Sequence, residues 1–343
     1  MRTKKITKTF LVILLLILCA TVLWFGSDIH RFAKKPAGTS DDVVVISITP
    51  GQSFNQLTAD LKKNNLISSA LRFKLVARIT RDDKRLKAGE YALTATMSPL
   101  KILDNLVHGK VMLHRLTIPE GYTIEQIAME LDRIALVPEE LFEQWTRDPI
   151  HSKLLGISGP TLEGYLFPDT YYFPKGVSAE DVANKMVQRF NQTFTESWRQ
   201  RAKAIGFTVH EIVTLASIIE KETGDPAERP LIASVFHNRL KKKMRLESDP
   251  TVIYGIENFD GNITRRHLKT ATPYNTYVIR GLPPGPIANP GRAALEAALY
   301  PAETNYIFFV SKKDGTHHFS STIKEHNRAV RKYQLRRRHS KSK

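Results

Sequence analysis

At 343 residues the chain exceeds the usual size of one domain, so two or more packed units with linkers are expected. Hydrophobic residues make up 42% and charged residues 25%, near globular averages, which excludes wholesale disorder. The net charge of +17 raises nucleic acid as a partner, but four of the cations (Arg2, Lys4, Lys5, Lys8) precede an apolar run and seven (Arg331, Lys332, Arg336, Arg337, Arg338, Lys341, Lys343) lie at the C-terminal end. A terminal excess of this kind suits anionic headgroups, acidic polymers or a solvated tail rather than DNA.

Residues 1–9 form a basic segment, and Phe10 to Gly26 gives seventeen residues without a charge, enough to span a bilayer. The preceding Arg and Lys residues keep residues 1–9 cytoplasmic and send the rest across the membrane. A cleaved signal peptide is the competing reading, but no small-x-small site follows the run closely. Cys19 lies inside the run behind Leu18, a poor lipoprotein site, and the chain has no second cysteine for a disulfide. Residues 27–42, with Lys34, Lys35, Pro36 and Gly38, read as a polar linker.

A first domain is expected over 43–148. Val43 to Ile48 predicts a strand, followed by a Pro50-Gly51 turn and the helical spacing Phe54, Leu57, Leu61. The arrangement returns seventy residues later, with Gly51, Phe54, Gln56, Leu57 and Leu61 answered by Gly121, Ile124, Gln126, Ile127 and Leu131. Gly89 to Leu93 adds another strand. A strand, glycine turn and short helix repeated in this way resembles the LysM-like module, whose relatives bind N-acetylglucosamine polymers. The alternative is a small α+β spacer that grips no sugar.

Residues 149–335 are expected to form a mainly helical catalytic domain with a small β element, ahead of a basic tail at 336–343. A Gly- and Pro-rich stretch from Gly156 to Gly176 carries Tyr165, Phe167, Tyr171, Tyr172 and Phe173. Helical spacing then runs over Val182–Trp198, Val209–Thr223 and Ala227–Leu240, the last with Asp225 as N-cap and Pro226 at the first helical position. Tyr306–Val310 leads through Asp314-Gly315 to a returning strand at His318 and Phe319. The eleven histidines show no close ligand spacing, so no metal and no cofactor is expected.

The segment Thr208–Gly224 concentrates the chemistry. Thr208 with Glu211 forms a capping box, and Ile212, Leu215, Ala216 and Ile219 share one face with Val213 at its flank. Glu220 projects between Val213 and Ala216 in the last turn, where an apolar arc and the negative helix end are expected to raise its pKa toward that of a general acid. Glu222 sits on the other margin of the arc, and periodicity barely separates the two; pairing with Lys221 or Arg229 at the surface is the ordinary alternative for either.

The run Leu215-Ala216-Ser217-Ile218-Ile219-Glu220-Lys221-Glu222-Thr223 resembles the active-site helix of the MltG (YceG-like) endolytic murein transglycosylases. Glu163–Tyr171, Ser234–Leu240, Ser248–Gly255, Pro273–Tyr277 and Gly281–Gly291 are similar to further blocks of that family, in the same order. The resemblance implies a lysozyme-like catalytic domain with Glu220 as its acid, acting on the peptidoglycan bond between N-acetylmuramic acid and N-acetylglucosamine to leave a 1,6-anhydro end. It also implies a single-pass protein of the inner membrane with a periplasmic catalytic domain, which terminates nascent glycan strands beside peptidoglycan synthases. Tyr254, Tyr274, Asn275, Tyr277 and Asp249 are the candidate substrate-binding residues, though Asp249 before Pro250 also suits a helix N-cap. A non-catalytic glycan-binding scaffold, and a hydrolase using a second carboxylate such as Glu163 or Asp169, are the competing functions.

Overall fold

The computed structural model describes residues 2–222, 224–257 and 259–335; the basic tail at 336–343 lies outside them. The chain divides into two compact units, Met1–His114 with Pro174–Gly176, and Arg115–Phe173 with Val177–Lys343. The class is mixed α+β, largely helical, and the strands of the described residues form three two-stranded sheets.

The first unit begins with helix α1 (Arg2–Lys34), followed by β1 (Val44–Ile48), α2 (Phe54–Lys63), α3 (Ala70–Ile79), β2 (Gly89–Leu93) and α4 (Pro99–His108). Over Phe10–Lys34, α1 is long and apolar enough to cross a membrane, and its apolar residues from Phe10 to Leu18 are exposed. The helix continues through the first part of the segment read as a linker. Ile29 and Phe32, one turn apart, are each 6% exposed and join the core of Leu57, Leu61, Phe73, Tyr91 and Leu106. Each such burial contributes roughly 1.5–3 kcal/mol, which holds the segment helical against its polar composition. Strands β1 and β2 pair antiparallel, from Val44 opposite Leu93 to Ile48 opposite Gly89.

The second unit contains β3 (Leu113–Thr117) from Arg115 onward, α5 (Ile124–Arg133), α6 (Glu139–Arg147) and α7 (Pro149–Leu154). Next come β4 (Thr170–Pro174), α8 (Ala179–Thr193), α9 (Glu196–Ala204), α10 (Val209–Glu222), α11 (Arg229–Lys241) and α12 (Asp249–Tyr254). The series closes with α13 (Arg265–Lys269), α14 (Arg292–Leu299), β5 (Phe308–Ser311), β6 (His317–Ser320) and α15 (Ile323–Val330). The helix expected over Val182–Trp198 is two, parted at Phe194 and Thr195, where Phe194 N–H still donates to the Phe190 carbonyl at 2.7 Å. Pro226–Glu228 is a 3-10 turn, capped by Asp225, and the α-helix starts only at Arg229. The hairpin forms as expected, with Phe309 opposite Phe319 and a left-handed Gly315 in its turn.

The internal repeat is reproduced in local geometry. Both short helices open on a capping box, Ser53 with Gln56 and Thr123 with Gln126. Gly51 and Gly121 have φ of 82° and 78°, and beyond each helix a non-glycine residue turns left-handed, Asn65 and Ala135. Leu66 and Leu136 then tuck back, each N–H donating to the carbonyl of the buried Leu61 or Leu131 at 3.0 Å. The second copy differs in what surrounds it: Ile124, Ile127 and Leu131 share one core with α8, α10 and α14. The division between units therefore falls near His114 and Arg115, whereas the sequence places the start of the catalytic part at 149.

Candidate active site

Helix α10 runs through the middle of the second unit. The capping box forms as the sequence predicts, Glu211 N–H donating to Thr208 Oγ1 at 3.2 Å and Thr208 N–H to Glu211 Oε2 at 2.8 Å. Every residue from Ile212 to Ile219 is buried, polar Thr214 and Ser217 included. Thr214 Oγ1 donates to the His210 carbonyl, and Ser217 Oγ accepts the Ile287 N–H at 3.0 Å while donating to the Thr214 carbonyl. A helix enclosed on all sides holds its final turn in a fixed place, and that turn carries both glutamates.

The surroundings of Glu220 are polar, not the apolar arc that periodicity suggests. Its side chain is 5% exposed; Oε1 accepts from Arg229 Nη2 and Oε2 from the Gly291 N–H, both at 2.9 Å. The pairing with Arg229 weighed as a surface event is instead buried, because α11 starts at Arg229 and turns that side chain inward, 9% exposed. Glu120 Oε2 lies 3.7 Å from the same Arg229 nitrogen. Lys221 reaches the Gly121 carbonyl at 3.2 Å, so the glycine turn of the second repeat is fastened to the end of α10.

Glu222 faces elsewhere. Ser248 Oγ donates to its Oε1 at 2.5 Å. Burial, and then the negative charge of Asp249, push its carboxyl up to about 7 against the opposing effects of Ser248 and Arg239. Glu163 is a third inward carboxylate, 2% exposed. It accepts from the Ile124 N–H, Asn289 Nδ2 and Tyr254 Oη at 2.9–3.2 Å, and burial pushes it up to about 7. Asn289, fully buried, also accepts the Leu166 N–H and donates to the Tyr122 carbonyl, both at 2.9 Å. One amide thus joins the 121–122 turn, the Glu163–Tyr171 motif and the Gly281–Gly291 motif.

Beside this framework lies an open cleft of about 740 Å³ lined in part by Arg147, Glu163, Lys221, Tyr254 and Ile287. Tyr254 forms a tilted ring pair with Tyr274, centroids 4.9 Å apart. Tyr277 Oη donates to Asp249 Oδ1 at 2.7 Å, and the N-cap of α12 is Ser248, with Asp249 the first helical residue. Asn275 is turned inward: it is 1% exposed, and its amide donates to the carbonyls of His267, Leu268 and Thr270. It clamps its own loop and has no free amide hydrogen for a sugar. Among the described residues, no group of three His, Cys, Asp or Glu side chains is placed to hold a metal ion.

Sequence reasoning missed Glu120 and the Gly291 N–H, and it considered Arg229 only as a surface partner. One signal was present. Within the repeat, Glu120 stands where the first copy has Pro50, so a titrating group occupies a turn position.

Buried carboxylates at a helix end beside a cleft, in a mixed α+β body, give the second unit the features of a site for carboxyl chemistry. The chain belongs to the YceG-like family, which matches residues 46–332. It is 35% identical over 326 residues to the endolytic murein transglycosylase of Bacillus subtilis (strain 168), covering 90% of this chain and 89% of that protein. It is 29% identical over 323 residues to the enzyme of that name from Streptococcus pneumoniae serotype 2 (strain D39 / NCTC 7466), covering 85% of this chain and 58% of the longer relative. The crystal structure of a putative YceG-like protein from Listeria monocytogenes superposes with a TM-score of 0.58 at 35% identity, over 84% of this chain and 99% of that one.

Proposed function

We propose that this protein is an endolytic murein transglycosylase, a lyase that cuts peptidoglycan between N-acetylmuramic acid and N-acetylglucosamine, with Glu220 as acid and base. The observation that carries the assignment of Glu220 is its placement: a nearly buried carboxylate at the end of an enclosed helix, with each oxygen fixed by a different element. Glu220 gives its proton to the glycosidic oxygen as the bond to C1 breaks. It then takes the proton of the muramyl C6 hydroxyl as that oxygen bonds to C1, closing the 1,6-anhydro ring. Attacker and target belong to one sugar, so proximity replaces a bound water. The cleft beside Tyr254 and Tyr274 takes the glycan, with Tyr277 and Asp249 as further contacts.

A second reading places the acid at Glu222, whose carboxyl pushed up to about 7 is the environment expected of a group that keeps its proton near neutrality. Glu222 is held by Ser248 at the base of α12, which favours a framework role. Mass analysis of digested glycan tests the activity itself. Fragments ending in 1,6-anhydromuramic acid, cut internally, are expected; reducing ends would move the protein to the hydrolases.

The finer placement follows the same reading. Helix α1 anchors the chain in the inner membrane with residues 1–9 cytoplasmic and the catalytic part periplasmic, supported by the basic residues ahead of its apolar run. The repeat acts as a pair of LysM-like modules, supported by its shared strand, glycine turn and capped helix. At that site the enzyme would release nascent strands beside peptidoglycan synthases.

A further inference from the structure

Two carboxylates, not one, meet the guanidinium of Arg229. Its Nη2 stands 2.9 Å from Glu220 and 3.7 Å from Glu120. Gly291 touches both: its N–H donates to Glu220, and a Cβ built on it would overlap the Glu120 carboxyl. Among the described residues, Arg229 Nε is buried without a hydrogen-bond partner, while Nη2 faces the two carboxylates. Glu120 itself is 47% exposed in its side chain. Charged neighbours in the chain are engaged elsewhere: Lys221 holds the Gly121 carbonyl, Glu222 accepts from Ser248, Glu211 caps its own helix at Thr208, Glu228 pairs with His317, Arg239 pairs with Glu247, and Arg292 lies over the Trp198 ring.

An acid bound to a guanidinium gives up its proton too easily to serve as a proton donor near neutral pH. A second carboxylate at the same guanidinium offsets that pull. We propose that Glu120 is a positioning residue for glycan cleavage, which shares the charge of Arg229 so that Glu220 can carry the proton it delivers to the glycosidic oxygen. The inference rests on Glu220 being the acid. Burial, and then the Glu220 charge, hold the Glu120 carboxyl above the ordinary range against Arg229.

The test is the pH dependence of kcat/KM on peptidoglycan glycan, measured with the full chain in detergent for wild type, Glu120→Gln, Glu120→Asp and Gly291→Ala. Glu120→Gln should move the alkaline limb to lower pH by about one unit, while acid-side activity and melting temperature stay near wild type. Glu120→Asp should recover much of the shift. Gly291→Ala, which displaces the Glu120 carboxyl without removing its charge from the chain, should move the limb the same way, and it keeps the test open if Glu120→Gln fails to fold. An unmoved limb, or a loss equal at every pH, overturns the role of Glu120. Glu220→Gln run alongside separates the two claims: if it is inactive while the Glu120→Gln limb is unmoved, only this inference falls, and if it is active, the assignment of Glu220 falls.

Discussion

Arg229 and Glu220 form a buried ion pair across the start of α11 and the end of α10, at 2.9 Å, with both side chains under one-tenth exposed. Removing one member of such a pair leaves the other charge uncompensated, at a typical cost of ~3–5 kcal/mol. Arg229→Met should therefore lower the melting temperature of the second unit sharply, and Glu220→Gln, which keeps an acceptor for Arg229, should lower it far less. Equal, small losses in thermal unfolding would show that the pair is solvated.

Gly164 opens the loop after Glu163 with φ of 87°, and a Cβ there would collide with the Pro286 ring and come 2.8 Å from Val213 Cγ1. Gly164→Ala combines backbone strain, costing about 1–3 kcal/mol, with displacement of α10 at Val213. Circular dichroism melts should show that loss, and turnover should fall with it. An alanine variant as stable and active as wild type would mean the loop is not fixed against α10.

Glu163 and Glu222 make stability depend on pH in a defined direction. Both carboxyls titrate near 4.5 when free and about 7 in the folded chain. The native state thus binds more protons than the unfolded one between those values, and stability is lost as pH rises from 4.5 to 7 and then levels. The gap in melting temperature between wild type and Glu163→Gln should therefore shift in favour of wild type on going from about pH 8 to about pH 5. A gap that is flat with pH would place the Glu163 carboxyl in contact with water.

Phe32 tests the continuity of α1. A residue in a flexible linker tolerates truncation, whereas Phe32 lies in the core of the first unit. Phe32→Ala should cost that unit about 3–5 kcal/mol. Unchanged hydrogen exchange in α3 and α4 would restore the linker reading.

What the sequence made legible was local. The capping box of α10, the Asp314-Gly315 hairpin and the repeat are written in residues within a few positions of one another. Burial along α10 was legible on one face only, since Thr214 and Ser217 read as polar and are buried by bonding to their own helix and to the Ile287 N–H. The full setting of Glu220 was not legible, because Glu120, which shares Arg229 with it, and Gly291, which bonds it, arrive from 100 and 71 residues away in sequence. Asn275 shows that a local arrangement can be hidden too: its amide, in a tyrosine-rich motif, is consumed by three carbonyls of the preceding loop, which residue spacing does not reveal.

The central claim is that Glu220, rather than Glu222, transfers the proton, and the direct measurement compares Glu220→Gln with Glu222→Gln in release of 1,6-anhydromuramic ends from peptidoglycan. Both substitutions preserve shape and hydrogen-bonding capacity and remove only the titrating proton. Glu220→Gln should lose at least ~10²-fold in turnover with sugar binding retained, while Glu222→Gln keeps most activity. Full activity in Glu220→Gln, or the larger loss in Glu222→Gln, would contradict the account.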